Sequence, residues 1–493
     1  MLAKNKISLY GLITGFLILL SFIFTEPSEG LNRVAWLTAG VAILMTIWWV
    51  TEAVPIYITG LIPLVLFPLL ETFSIKTVSV SYAHPLVLLF LGGFIIASAM
   101  ESSGLHKRIA LKILGLSGTS PSKIIAGFMF TTAMLSMWVS NTASTVMMLP
   151  IAMSVITIFS KNNIINKNEF AIPLLLAIAY SASIGGTATL IGTPTNIMLA
   201  SILSDTYNYS IGFIDWFIIG FPIVLVLLPI VWFFLNKIIF KVSSKKSFAL
   251  EKVLTDLNEK IGKANTTEKV VAIIFFLTAN LWIFRKVLND LLDLNLNDTS
   301  ISIFGAIMLF IIPTGKNKRA CNWETASKIP WGVLFLVGGG IALSNAFKSS
   351  GLANWIGSFS SYLYHIDIYA LILIAVLLII FLTELNSNTA TVATFTPILI
   401  IFAIGLEINP LFFVIPTTIA ASCAFMLPIA TPPNAVIFGS GQLDIKDMIK
   451  AGIGLNIISA LVVSILSIII LNLFFGLQIT SIPDWALSGK INK

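Results

Sequence analysis

Two tripeptides hold the chemistry this chain places inside apolar sequence. Ser140-Asn141-Thr142 and Ser387-Asn388-Thr389 each lie in a long apolar stretch, are followed by Ala, and reach a Pro-Ile pair eight residues after the threonine. Hydroxyl and amide groups without a neighbouring charge can cap a helix start, hydrogen-bond a solute, or lend oxygen atoms to a cation. The two triplets are 247 residues apart, and the same offset aligns Ser102-Ser103-Gly104-Leu105 with Ser349-Ser350-Gly351-Leu352. A duplicated polar break at membrane depth is what a solute site between two repeats requires.

A further pair follows. Gly192-Thr193-Pro194-Thr195-Asn196 matches Ala430-Thr431-Pro432-Pro433-Asn434 at an offset of 238. Thr before Pro marks a helix start, because Thr can cap free N–H groups and Pro fits the first helical position. Inside an apolar run it implies a helix that stops and restarts. Irregular backbone is tolerated at that depth only within protein or beside a water-filled cavity. Four helix starts, two from each repeat, would then converge, and their partial positive charge favours an anion. Unwound carbonyls with Ser, Thr and Asn oxygens suit Na⁺.

The elements that must position these residues are membrane helices. The chain is 57% hydrophobic and only 10% charged, far too little charge to cover a soluble protein of 493 residues. Its net charge of +7 resides mainly in loops, so it fits membrane topology and contact with lipid rather than nucleic acid. Eleven spans are expected at 7–24, 35–52, 54–71, 85–101, 170–202, 213–236, 269–284, 299–313, 329–347, 407–438 and 451–475. The stretches 122–160 and 367–402 are expected as re-entrant hairpins. The first span reads as an uncleaved helix with a cytoplasmic N-terminus, which puts the C-terminus outside. Eight lysines between Lys237 and Lys269 and the cations from Lys316 to Lys328 then fall on the cytoplasmic side. Arg285 and Lys286 are the exception, offset by Asp290, Asp293 and Asp298. His106-Lys107-Arg108 follows the first Ser-Ser-Gly-Leu and no cation follows the second, as expected for an inverted pair.

The segments around both triplets, with Ile-Gly-Thr-Pro-Thr-Asn and Leu-Pro-Ile-Ala-Thr-Pro-Pro-Asn-Ala, resemble the divalent anion/sodium symporter family of dicarboxylate transporters over nearly the whole chain. The resemblance implies an all-α polytopic homodimer in the plasma membrane of a bacterial-type cell, with scaffold and transport domains and an elevator mechanism. It implies Na⁺-coupled carriage of succinate, malate, fumarate or 2-oxoglutarate, with Na⁺ as coupling ion and no cofactor. Sodium-independent exchange of dicarboxylates, or carriage of citrate or sulfate, is the alternative. One cation site would use Ser136, Ser140, Asn141 and Gly192. The other would use Thr383, Asn386, Asn388 and Ala430, with Asn386 and Ala430 acting through backbone carbonyls. Dicarboxylate contacts would fall on Ser140, Asn141, Thr142, Thr193, Ser387, Asn388, Thr389, Thr431 and Pro432.

The expected divisions are N-terminal scaffold helices at 1–78, a first repeat at 79–240, an amphipathic connector at 241–268, linking scaffold helices at 269–328, a second repeat at 329–478 and a tail at 479–493. No hydrolase or metalloprotease motif occurs, and the expectation is a protein that is not an enzyme. Glu384 beside the second triplet has two readings of equal weight: a functional intramembrane acid, or a carboxylate bonded to backbone N–H groups. Glu52 reads as an interface marker, and Gly92-Gly93 and Gly338-Gly339-Gly340 as close helix contacts.

Overall fold

The computed structural model describes residues 2–115, 120–161, 167–242, 262–316 and 318–487. The amphipathic segment expected from Phe248 to Ile261 lies outside them. Among the described residues, the only strands are Pro313–Gly315 and Lys318–Arg319, a short antiparallel pair. Eight helices among the described residues are long and apolar enough to cross a membrane: Lys6–Phe24, Arg33–Thr51, Ile75–Ser103, Phe213–Ile239, Thr266–Leu292, Trp331–Ser350, Asn388–Gly405 and Ile445–Phe475. Each expected hairpin is a helix, a break and a second helix: Pro121–Ser136 then Asn141–Lys161, and Ile368–Thr383 then Asn388–Gly405. The 16-residue first arms rise about 24 Å, less than a bilayer core of roughly 30 Å.

One expected span is divided. Residues 54–71 form Ile56–Thr59 and Ile62–Leu69 rather than one helix. Gly60 sits at the break because backbone approaches it there. A Cβ on Gly60 would lie 2.9 Å from Leu336 Cα, and one on Gly339 would lie 2.2 Å from the Gly60 carbonyl. That carbonyl accepts from the Tyr82 hydroxyl at 2.6 Å, and Pro63 supplies no N–H to the restarting helix.

The duplicated Ser-Ser-Gly-Leu has duplicated geometry. Gly104 and Gly351 end their helices at φ +82° and +84°, a left-handed conformation that glycine adopts without penalty. Leu105 N donates to Ser103 Oγ at 3.4 Å, and Leu352 N to Ser350 Oγ at 3.3 Å. A new helix starts at each: Leu105–Leu114 and Leu352–Ser358.

The interrupted helices form the centre of the molecule. Every residue from 170 to 190 and from 408 to 425 is buried, as segments that carry no charged residue on any face can be. Packing crosses between the copies. Pro194–Tyr207 lies against Asn388–Gly405, and Pro432–Phe438 lies against Asn141–Lys161. Met198 and Ala393, each near the start of its helix, both approach Gly340, where an added Cβ would meet them at 2.6 and 3.2 Å.

Candidate functional site

The first helix pair turns at residues 137–140, and its polar groups close around the turn. Ser136 Oγ donates within 2.6 Å of Asn141 Oδ1 and 2.7 Å of the Ala182 carbonyl. With the amide oriented this way, one hydroxyl proton serves three oxygens, which leaves the cluster electron-rich and suited to a cation. Gly186 abuts Asn141, since a Cβ there would lie 2.3 Å from Asn141 Oδ1, and Gly192 abuts Gly186, with a Cβ 2.4 Å from its carbonyl. Ser136, Asn141 and Gly192 are therefore brought together about Gly186. Ser140 caps the restarting helix, accepting from Ala143 N at 3.2 Å.

The second copy repeats this bonding with different residues. Thr383 Oγ1 donates to Asn388 Oδ1 at 2.7 Å and lies 3.0 Å from the Ala421 carbonyl. Thr383 and Asn388 stand where Ser136 and Asn141 stand, at the same offset of 247. Asn386 uses its side chain locally, accepting from Ser387 N at 2.8 Å. Ala430 lies inside the break, its N–H bonded to the Leu427 carbonyl at 3.2 Å.

Both breaks are knitted by an asparagine. Asn196 Nδ2 donates to the carbonyls of Thr189 at 2.7 Å and Gly186 at 3.2 Å. Asn434 Nδ2 donates to those of Leu427 at 3.0 Å and Ala424 at 3.1 Å. A buried side-chain amide thus satisfies carbonyls that the interrupted helix leaves without partners. Thr431 caps as expected, accepting from Asn434 N at 3.2 Å. Thr193 and Ser387 make no such cap. Thr193 Oγ1 instead accepts from Thr195 Oγ1 at 3.5 Å.

Glu384 resolves toward its structural reading. Its carboxylate is 2% exposed and accepts from Phe425 N at 2.7 Å, Met426 N at 2.8 Å, Leu427 N at 3.0 Å and Asn456 Nδ2 at 2.7 Å. It ties the turn of the second helix pair to the break that supplies the Ala421 carbonyl. The matching position in the first copy is Met137, whose carbonyl accepts from Thr189 Oγ1 at 2.5 Å. One copy joins turn to break with a carboxylate, the other with a threonine.

The expected dicarboxylate contacts differ in access. Ser140 and Pro432 are exposed, Asn141, Thr142, Ser387 and Asn388 are half-buried, and Thr193, Thr389 and Thr431 are buried. Two cavities lie away from them. One of about 300 Å³ is bordered by Tyr369, Phe412, Ile469 and Asn472, and one of about 140 Å³ by Tyr209, Asp215, Leu411 and Leu471. Sequence reading gave no role to Asn196 or Asn434, although both stood in its aligned motifs. The carbonyls of Ala182 and Ala421 leave no trace in side-chain identity.

Residues 6–477 match the model of the sodium:sulfate symporter transmembrane region. A sodium-dependent dicarboxylate transporter, SdcS, of Staphylococcus saprophyticus is 38% identical over 97% of this chain and 94% of its own. The protein of that name from Staphylococcus aureus is 40% identical over 96% of this chain and 92% of its own. The YdaH transporter of Alcanivorax borkumensis shares the fold, with a TM-score of 0.57 at 15% identity over 90% of this chain and 99% of that one. The chain therefore belongs to the sodium:sulfate symporter transmembrane family and is an integral membrane protein.

Proposed function

We propose that the chain is a secondary transporter that carries small dicarboxylates, of the succinate, malate and fumarate class, together with Na⁺. The observation that carries this reading is the pair of matching oxygen clusters, Ser136–Asn141–Ala182 and Thr383–Asn388–Ala421. Each is a cation site of neutral oxygens, the first completed by Ser140 and Gly192, the second by Asn386 and Ala430. The names of the staphylococcal relatives support both sodium and dicarboxylate.

The dianion is gripped between the cations. Asn141–Lys161, Pro194–Tyr207 and Asn388–Gly405 direct helix N-termini toward it, while the seven-residue Pro432–Phe438 contributes less dipole. Ser140, Asn141, Thr142 and Thr193 hold one carboxylate, and Ser387, Asn388, Thr389, Thr431 and Pro432 hold the other. No lysine or arginine takes part, so bound Na⁺ supplies the counter-charge and substrate affinity follows sodium. The helix pairs are re-entrant hairpins of two inverted repeats. With the interrupted helices they form a transport unit that slides as an elevator against scaffold helices at 1–78 and 269–328 in a homodimer. The N-terminus is cytoplasmic and the C-terminus outside.

Purified protein in sodium-free proteoliposomes is expected to accumulate labelled succinate only when Na⁺ is added outside. Equal uptake in choline would overturn the coupling and point to sodium-independent exchange.

A further inference from the structure

Between the two interrupted-helix copies and the helices around them, polar contacts gather at one corner. Asp205 and Thr206 end the helix Pro194–Tyr207, and Asn208 then turns the chain at φ +55° toward Phe213–Phe233. On one flank Asn345 Nδ2 donates to Asp205 Oδ2, and Asn345 Oδ1 accepts from Thr206 Oγ1 at 2.9 Å. Lys348 Nζ donates to the Thr206 carbonyl at 2.5 Å, and His84 Nε2 stands 3.8 Å from Asp205 Oδ1. On the other flank Lys286 Nζ pairs with Asp215 Oδ1 at 2.9 Å. Asp298 accepts from Phe213 N at 2.8 Å while paired with Arg285 at 2.8 Å.

All these partners sit on residues 84–103, 266–311 and 331–350, which contribute nothing to the two oxygen clusters. The corresponding corner of the second copy has no such contacts among the described residues. Among the described residues, 439–447 hydrogen-bond within their own stretch, to Ala435, Ile437 and Phe438 before it, and to the helix Ile445–Phe475 that they begin, and to no other element. One corner of the central unit is pinned on both flanks, and its counterpart is pinned on neither. Contacts that cross between packed bodies are the ones that must break when the bodies shift, so they bias which arrangement is populated.

We propose that residues 205–215 are a latch that pins the cluster-bearing unit to its surroundings in the arrangement seen here and opens once in every transport cycle. This rests on the reading that the unit moves as a rigid body, so the experiment separates the two claims. In the full-length chain in liposomes, spin labels are placed at Lys123→Cys and Lys269→Cys, both exposed and on opposite sides of the moving boundary. Asn345→Ala is expected to raise the minor distance population relative to the major by about tenfold, the equivalent of one charge-assisted hydrogen bond. Lys286→Ala, a change at a residue 61% exposed and harmless to folding, is expected to shift it in the same direction.

In parallel, Asp205→Cys with Asn345→Cys is bridged by a short bis-maleimide, with the native Cys321 and Cys423 alone as control. Bridging is expected to stop succinate uptake that the unbridged pair supports. Full uptake after bridging would show that this boundary does not move, which overturns the rigid-body reading and the latch together. Blocked uptake with unchanged distances in both Asn345→Ala and Lys286→Ala would overturn the latch alone.

Discussion

Asn141 and Asn388 are the residues on which the two clusters turn, because each presents its oxygen to a hydroxyl that also reaches a break carbonyl. In the proposed cation sites, replacing either with Ala removes one ligand without disturbing the apolar core. Asn141→Ala and Asn388→Ala are each expected to raise the Na⁺ concentration for half-maximal uptake by at least about tenfold, one lost ligand being worth roughly 1.4 kcal/mol or more. A sodium titration of uptake at fixed succinate measures this, and an unchanged midpoint in both variants would remove them from the cation sites. Glu384 acts differently, as the acceptor of four hydrogen bonds from the break and Asn456. In Glu384→Gln, one oxygen becomes an NH₂ that faces N–H donors, at a cost of about 2–4 kcal/mol. Its thermal unfolding temperature in detergent should fall well below that of the wild type. Equal stability would mean the carboxylate is dispensable to the break. Its bonding to backbone was one of two readings open from sequence. What decided between them was the position of a break 41 residues away, which no local pattern encodes.

At the scale of elements, close approach decides more than propensity. Gly192 packs against Gly186, and Gly186 against Asn141, with no room for a methyl group at either glycine. Gly192→Ala is therefore expected to abolish sodium-driven uptake while leaving membrane insertion and oligomeric state intact on size exclusion. Normal uptake would show that the break can move aside. The amphipathic Leu105–Leu114, outside the spans, carries a pH signature. Burial holds the His106 imidazole below its ordinary value of 6.5, although its Nδ1–H donates to the Met100 carbonyl at 2.9 Å. The folded state resists a proton that the unfolded chain accepts. The stability from His106 is thus present above 6.5 and is lost as pH falls below it. Between pH about 7.5 and about 5.5, wild type should lose a few degrees of unfolding temperature more than His106→Gln. The turns and restarts were legible because Ser, Thr, Asn and Pro at helix starts have specific backbone work to do. The break at Gly60 was not, since it depends on Gly339 meeting it from a helix far along the chain. Lys286 was expected to be balanced by nearby acids in sequence and instead pairs with Asp215, brought in by the packing of Phe213–Phe233.

Across the whole molecule, duplication is what made the site readable. The same offset of 247 links Ser136 to Thr383, Asn141 to Asn388 and Gly104 to Gly351, and each pair has matching bonds or backbone angles in space. The cross-packing of each restarting helix on the other copy had no sequence signature, because polar and apolar residues are mixed along these helices and no single apolar stripe marks the packed face. Two matching halves imply a ligand with two matching ends. In the proposed site each half offers one carboxylate a set of neutral donors and helix N-termini, and the residues assigned to it include no lysine or arginine to compensate if an end is missing. Succinamate keeps the length of succinate but exchanges one carboxylate for an amide, so it should satisfy one half only. Losing a set of charge-assisted hydrogen bonds is expected to raise the concentration needed to inhibit succinate uptake by roughly 30- to 100-fold. Inhibition by succinamate as strong as by unlabelled succinate would mean that only one carboxylate is held and that the two halves do not share the ligand.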